Sequence, residues 1–135
     1  MAFQFSTAAR NAALDAIETA IGTSPILRLR SGAAPANCGT ADSGTVLATM
    51  TLPSDWLAAA SGGSKALAGT WQDLAADAAG TAAHFRIYDS TGTTCHIQGS
   101  VTATGGGGDM TVDNPVLASG QQVNVTAFTV TAGGA

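Results

Sequence analysis

The feature that most constrains the fold of this chain is an alternation of apolar and polar side chains that begins after Pro25 and continues through most of the sequence. In the segment ILRLR, Leu27 and Leu29 alternate with Arg28 and Arg30. Successive side chains of a β-strand point to opposite faces, so this period of two predicts strands with one apolar face. Several such segments, separated by glycine-rich turns, favour a β-sandwich over a fold of βαβ units.

The segment TVLATMTLP repeats the alternation and predicts a second strand. Its inward set comprises Val46, Ala48, Met50 and Leu52, with Thr49 and Thr51 outward. Leu47 then falls on the polar face, and we expect it to be exposed there. The residues between the two strands, SGAAPANCGTADSG, predict a loop.

The segment AHFRIYDSTGTTCHIQGSVTAT predicts a β-hairpin around Gly92. The register follows from placing both apolar sets on one face. It pairs Phe85 with Gly99, Ile87 with Ile97, and Tyr88 with His96. In the first strand, Ala83, Phe85 and Ile87 are then expected on the core face, and His84, Arg86 and Tyr88 on the outer face.

Cys95 and His96 are adjacent, which raises the question of a nucleophile and its base. The predicted register points Cys95 toward the core and His96 away from it, so we expect no catalytic pair. A thiol buried among apolar side chains is expected to be inert, with a raised pKa. Because no secretory signal is visible, Cys38 and Cys95 are expected to be thiols, and a disulfide is the minor alternative. The spacings CxxC and HxxxH do not occur, so no metal site and no cofactor is predicted.

A helix is predicted over AARNAALDAIETAI, capped by Ser6 or Thr7. Gly22 supplies the stop, and Pro25 prevents the helix from resuming. We expect Glu18 on its exposed side. The chain has 135 residues, which suits a single domain. Within it, residues 1–24 are predicted to form an arm and helix, and residues 25–135 the β-sandwich.

The middle and the end of the chain are less regular. SDWLAAA is compatible with a single helical turn capped by Ser54, SGGSKALAGT with a flexible connection, and WQDLAADAAGTAA with a short strand or turn. Trp56 and Trp71 are expected to anchor the core or an interface. GGGG at residues 105–108 predicts a hinge. In QQVNVTAFTVTAGGA, Val123 and Val125 share one face but Phe128 and Val130 lie on the other, so either a bulge near Ala127 shifts the phase or both faces are covered.

The composition narrows the classes of function. Only 10% of residues are charged and the net charge is -4, so direct binding of nucleic acid is not expected. No run of eighteen apolar residues occurs, so no membrane span is predicted. The aspartates at positions 73, 77, 109 and 113 suit turns and caps, and no set of residues suggests an enzyme. A surface of small neutral side chains costs little to desolvate, which favours a protein that packs against partners.

Three stretches resemble a group of small virion proteins of tailed bacteriophages, similar to the capsid cement, or decoration, proteins of Bordetella-type podophages. They are MAFQFSTAARNAALDAIETAIGTSPILRLRSGAAP, TLPSDWLAAASGGSKALAGTWQDLAADAAGTAAHFRIYD and CHIQGSVTATGGGGDM. The resemblance implies a jelly-roll-like, antiparallel β-sandwich on the outside of an icosahedral shell. It also implies a non-enzymatic protein that self-associates, most simply as a dimer, and clamps neighbouring subunits of the major capsid protein after synthesis in the bacterial cytoplasm.

Large apolar side chains in the arm, in the helix and in the out-of-phase last strand are candidates for subunit contacts. They are Phe3, Phe5, Leu14, Ile17, Ile21, Phe128 and Val130. Packing in the protein's own core is the alternative for each of them. Other classes of function also stay open: a head-tail connector, a tail or fibre-associated structural protein, a carbohydrate-binding module with an exposed tryptophan platform, and a small hydrolase.

Overall fold

The computed structural model describes residues 3–135 and has, in that range, one helix followed by nine strands. The elements are α1 (Thr7–Ile21), β1 (Ile26–Ser31), β2 (Val46–Thr51), β3 (Ser64–Ala66), β4 (Gln72–Asp73), β5 (Gly80–Tyr88), β6 (Cys95–Ala103), β7 (Met110–Val112), β8 (Val116–Leu117) and β9 (Val123–Thr131). The fold is mainly β with one N-terminal helix, and the predicted fold class is confirmed.

The helix begins and ends where its sequence signals predict. The Ala9 N–H donates to the Oγ of the cap residue Ser6 at 3.1 Å. At the other end, Gly22 has φ 91° and its N–H donates to the Glu18 carbonyl. No helix in the described range combines the length and apolar character needed to cross a bilayer.

The strands form a curled sheet in the order β2-β1-β5-β6-β7-β9-β3, with β4 on β9 and β8 on β5. All pairs are antiparallel except β6 with β7. The curl brings aromatic rings of distant strands together: Phe128 lies 5.4 Å from Phe85 and 5.6 Å from Trp71 between ring centroids. The sheet therefore closes over its own core as a sandwich does.

The glycine run is a close-packed turn rather than the predicted hinge. Parallel neighbours normally need a long crossover, but here only residues 104–109 separate β6 from β7. The turn folds back against β6, where the Gly108 N–H donates to Thr102 Oγ1 at 3.0 Å. A Cβ at Gly108 would lie 2.9 Å from the Thr102 nitrogen, so this approach requires glycine.

The prediction that Leu47 is exposed was wrong, because its side chain is fully buried. The segment 77–80 covers it. The Leu47 carbonyl accepts the Asp77 N–H at 2.7 Å, and Gly80 packs against Leu47 Cδ2. Both faces of β2 are thus covered at this position.

The middle segment also differs from expectation. Ser54 starts no helical turn. The expected flexible connection SGGSKALAGT contains a tight turn, in which Ser61 pairs with Ser64, and strand β3. Trp56 and Trp71 are buried in the core, as predicted. Their indole N–H groups donate to the carbonyls of Gly22 and Ala68, each at 3.0 Å, so the single polar group of each buried ring has a hydrogen-bond partner.

Of the two explanations offered for the last strand, the structure shows the bulge near Ala127. In β7 and β9, Thr111 pairs with Ala127 and Val112 with Val125, so the bulge leaves Thr126 unpaired. The extra residue shifts the phase, and both Val125 and Phe128 are buried.

Candidate functional site

The predicted register of the β5–β6 hairpin is correct except at its last pair, where a β-bulge changes the partner of Tyr88. Phe85 pairs with Gly99 and Ile87 with Ile97, as predicted. Tyr88, however, pairs with Cys95 and not with His96, because the register shifts after Ile87. Cys95 therefore shares the face of Arg86 and Tyr88, and the prediction that it points into the core was wrong.

A second bulge lies in β5, where this strand pairs with β1. Arg30 pairs with His84 but Ser31 pairs with Ala82, so Ala83 is skipped. Ala82 is buried and Ala83 is exposed, contrary to the expected alternation.

The predicted outer face of β5 is buried. His84, Arg86 and Tyr88 are each no more than 2% exposed. They lie under residues 32–45, the loop between β1 and β2, which we call the covering loop. The Arg86 Nη2 group donates to the Asn37 carbonyl at 2.9 Å, and Gln98 Nε2 donates to the Pro35 carbonyl at 2.7 Å. The loop thus supplies backbone acceptors to side chains that it shields from water.

Asp42 of the covering loop balances two buried guanidinium groups. Its Oδ1 accepts from Arg86 Nη1 at 2.8 Å and from the Tyr88 hydroxyl at 2.7 Å, while its Oδ2 accepts from Arg30 Nη2 at 3.0 Å. Burial by itself raises the pKa of Asp42, but the bonds from Tyr88 and Arg86 and the charge of Arg30 outweigh it and hold the pKa below its usual range. We call these residues, with Gln98, the Asp42 cluster.

The two cysteines meet beside this cluster. Cys95 Sγ lies 3.0 Å from Cys38 Sγ, and both residues are free thiols in this structure. Burial, with a smaller contribution from Cys38, raises the pKa of the Cys95 thiol to about 12. The raised pKa was predicted, but the neighbours are polar instead of apolar. Besides Cys38, the Cys95 sulfur bonds to the Ile97 carbonyl, and His96 is exposed.

A polar cavity of about 240 Å³ opens beside the thiol pair. It is lined by Cys38, Gly39, Thr40, Ala41, Asp42, Arg86, Tyr88, Thr93 and Cys95. Because its walls hold two thiols in contact, and the Arg86 guanidinium is balanced by Asp42, the chemistry that the site offers is formation of a disulfide between the two cysteines.

The histidines stand apart from this thiol pair. His84 Nδ1 lies 2.7 Å from the Gly32 carbonyl oxygen, and its Nε2 is buried with no partner among the described residues. In residues 3–135, no three His, Cys, Asp or Glu side chains are grouped as a metal site requires.

A second buried charge joins the helix to the sheet. The Lys65 ammonium group of β3 is 4% exposed and lies 2.6 Å from Asp15 Oδ1 and 2.8 Å from Glu18 Oε1. Glu18 Oε2 also accepts the Leu57 N–H. The expectation that Glu18 is exposed was wrong, since its carboxylate faces the protein.

The aspartates singled out in the sequence hold turns and strand ends, as predicted. Asp73 accepts the Thr49 and Ala75 N–H groups, and Asp77 accepts the Thr49 hydroxyl. Asp109 binds the Ser100 N–H and hydroxyl, and Asp113 binds Asn124.

The candidate interface residues divide into two groups. Phe3, Phe5 and Ile17 are 80%, 52% and 40% exposed, and Val130 is half-buried. The other three, Leu14, Ile21 and Phe128, are buried in the protein's own interior. They have no side-chain surface to offer to a partner.

The exposed members belong to one apolar surface. Phe3 and Phe5 pack edge to face at 5.4 Å, and the Phe5 N–H donates to the Gly134 carbonyl, which holds this part of the arm against residues 132–134. Ala9, Ala13 and Ile17 follow at intervals of four along α1 and are exposed. We call these five residues the arm surface. Phe5, Ala9 and Ala13 border a groove of about 330 Å³ together with Arg10, Ala132 and Gly133.

Sequence reasoning missed the Asp42 cluster, although one signal pointed to it. In both strands the sequence places arginines on the polar side of the alternation, and Arg28 of β1 pairs directly with Arg86 of β5. Like charges directly opposite each other are unfavourable, so this face required a carboxylate from elsewhere. The loop that follows β1 carries Asp42.

Comparisons with protein-family models, with curated proteins and with solved structures found no match to this chain.

Proposed function

We propose that this chain is a decoration protein of a tailed bacteriophage, which binds the outer surface of the assembled capsid and clamps neighbouring subunits of the major capsid protein. The resemblance of its sequence to phage cement proteins suggests this role. The observation that carries the proposal is the arm surface, where two phenylalanines are exposed beside the helix and Gly134.

The arm surface has the chemistry of a protein contact. Exposed aromatic side chains supply most of the binding energy in many interfaces. Phe3 and Phe5 present such rings, and Ala9 and Ala13 allow a partner to approach α1 closely because they project only a methyl group. Arg10, beside the groove, adds a polar edge.

Stabilisation of the shell follows from mass action. A protein that binds only the assembled shell lowers the free energy of the shell by RT ln(1 + [L]/Kd) for each site, where [L] is the concentration of the free protein. Because a shell repeats the same site many times, moderate affinity at each one is enough. Self-association, most simply as a dimer, is a separate part of the proposal.

The buried tryptophans bear on the carbohydrate-binding alternative. That reading needed Trp56 or Trp71 as an exposed platform, and both rings are buried in the core. A head-tail connector differs from a decoration protein in copy number. Quantitative mass spectrometry of purified virions should find hundreds of copies for a shell protein, against roughly a dozen for a ring at the portal.

Replacement of Phe3 and Phe5 together by serine tests the arm surface. We expect binding to purified capsids, measured by co-sedimentation, to fall at least about tenfold, because loss of two aromatic anchors costs more than about 1.4 kcal/mol. The matched control is Leu74→Ser with Val116→Ser, since these side chains are 67% and 61% exposed elsewhere on the protein. Equal binding by both double variants would contradict the proposed contact, and sedimentation velocity on the same proteins tests the dimer.

A further inference from the structure

The thiol pair joins two parts of the chain that are distant in sequence. Cys38 belongs to the covering loop and Cys95 is the first residue of β6. Their sulfurs lie 3.0 Å apart, and a disulfide requires about 2.05 Å, so an approach of about 1 Å is enough to form the bond. We propose that Cys38 and Cys95 form a reversible disulfide that locks the covering loop onto the sheet.

The surrounding contacts hold the two sulfurs in place. On one side of Cys38, the Asn37 carbonyl accepts from Arg86, and four residues further on Asp42 binds Arg86 and Tyr88. Tyr88 is also the residue that pairs with Cys95. The loop and the strand are therefore anchored to the same side chains. Such anchoring gives the two thiols a high effective concentration toward each other.

The bond forms by two exchanges with a small disulfide such as oxidised glutathione. The thiolate of one cysteine attacks the glutathione disulfide, forms a mixed disulfide and releases one reduced glutathione. The thiolate of the other cysteine then attacks the protein sulfur of the mixed disulfide and releases the second glutathione. Because the pKa of Cys95 is raised to about 12, little of this thiol is thiolate near neutral pH, and the exchange is slow. The two thiols lose two protons and two electrons, and the electrons reduce one glutathione disulfide to two thiols.

The lock would act on the buried charges under the loop. When the loop opens, the guanidinium groups of Arg30 and Arg86 lose the carboxylate of Asp42, which travels with the loop. When the disulfide is closed, Cys38 holds the loop down and those ion pairs remain shielded. This inference does not depend on the proposed function.

The test is a redox titration of the whole protein in glutathione buffers from reducing to oxidising. The expected result is a loss of the mass of two hydrogen atoms, with a proteolytic peptide that links Cys38 to Cys95. The folded protein is incubated in excess oxidised glutathione, the oxidant is removed, and the free thiols are counted after denaturation. Two free thiols at that point would overturn the proposal. Lasting glutathione adducts or links between molecules would overturn it as well.

Thermal unfolding of the same wild-type protein supplies a second measurement. Closure of the long segment between the two cysteines should raise the Tm of the oxidised form by roughly 10 °C or more over the reduced form. Hydrogen exchange of the covering loop should slow in parallel. The Cys38→Ser and Cys95→Ser variants serve as controls, because each can form only a mixed disulfide with glutathione and neither should show the internal link or the rise in Tm. A wild-type Tm that is the same in both redox states would show that no lock exists.

Discussion

A single unpaired residue, His96, decides what the polar face of the hairpin can do. Because the bulge leaves it without a partner, Cys95 is set opposite Tyr88, and its sulfur lies against Cys38. Without the bulge, alternation would turn Cys95 toward Phe85 and Ile87 in the core. The local conformation of His96 thus determines whether Cys95 is an inert thiol in the core or lies beside Cys38 as half of a thiol pair.

The titration of Cys95 predicts how the stability of the reduced protein depends on pH. Burial and Cys38 raise the pKa of this thiol from an ordinary 9.0 to about 12. Between these values the unfolded chain loses the proton and the folded protein keeps it, so the free energy of unfolding falls as pH rises. The contribution is complete below about pH 9.

Urea unfolding of the reduced protein between about pH 8 and pH 11 measures this effect. The Cys95→Ser variant should lose less stability over the same range. Asp42, Arg86, Tyr88 and Cys38 surround the thiol and are unchanged in the variant, so they act as an internal reference. A variant that loses stability as steeply as the wild type would show that Cys95 is not the titrating group.

At the scale of elements, the connection from β6 to β7 depends on how closely the backbone approaches itself. Gly106 lies against the Thr102 side chain and Gly108 against the Thr102 nitrogen, where no Cβ fits without displacement. Gly105 has φ 84° but open space around it. Two different physical reasons therefore favour glycine within one run of four.

Substitutions in this run should separate the two reasons. Gly108→Ala is expected to cost about 1–3 kcal/mol, because the new Cβ would lie 2.9 Å from a backbone nitrogen. Gly105→Asn should cost less than about 1 kcal/mol, since asparagine tolerates a positive φ. Urea unfolding measures both. If Gly105→Asn proves the more damaging change, close approach is not what shapes this turn.

At the scale of the whole molecule, the helix is tied to the sheet by a buried ammonium group. Lys65 reaches from β3 to Asp15 and Glu18 on α1, and the Trp56 indole of the core bonds to the Gly22 carbonyl at the helix end. Leu14 and Ile21 add apolar contacts from the same helix. The arm surface therefore stands on a helix that is fixed to the rest of the protein.

The two carboxylates should differ in how much they stabilise this attachment. Glu18 is 20% exposed and also binds the Leu57 N–H, whereas Asp15 is 60% exposed. We expect Glu18→Gln to cost about 2 kcal/mol and Asp15→Asn about 1 kcal/mol or less. The double variant leaves Lys65 buried without a counter-charge and should lose about 3–5 kcal/mol. Chemical denaturation measures all three, and equal losses for the two single variants would contradict this account.

Some of the molecule could be predicted because the relevant physics is local. The Ser6 cap, the Gly22 stop and the alternation in β1 depend on residues close in sequence. The bulge in β9 was also foreseeable, because Val125 and Phe128 are out of phase by one residue. Leu47 and Glu18 were assigned to the wrong side because their partners, segment 77–80 and Lys65, come from distant parts of the chain.

The sequence by itself determined that the chain is mainly β with an N-terminal helix, since periodicity and caps act over a few residues. Only the tertiary structure decided that the covering loop folds over Arg86 and that Cys38 meets Cys95. Both depend on long-range pairing, and the second depends also on the bulge at His96, which reverses the direction inferred for Cys95. A one-residue shift moves side chains to the opposite face, and no short stretch of sequence shows where that shift occurs.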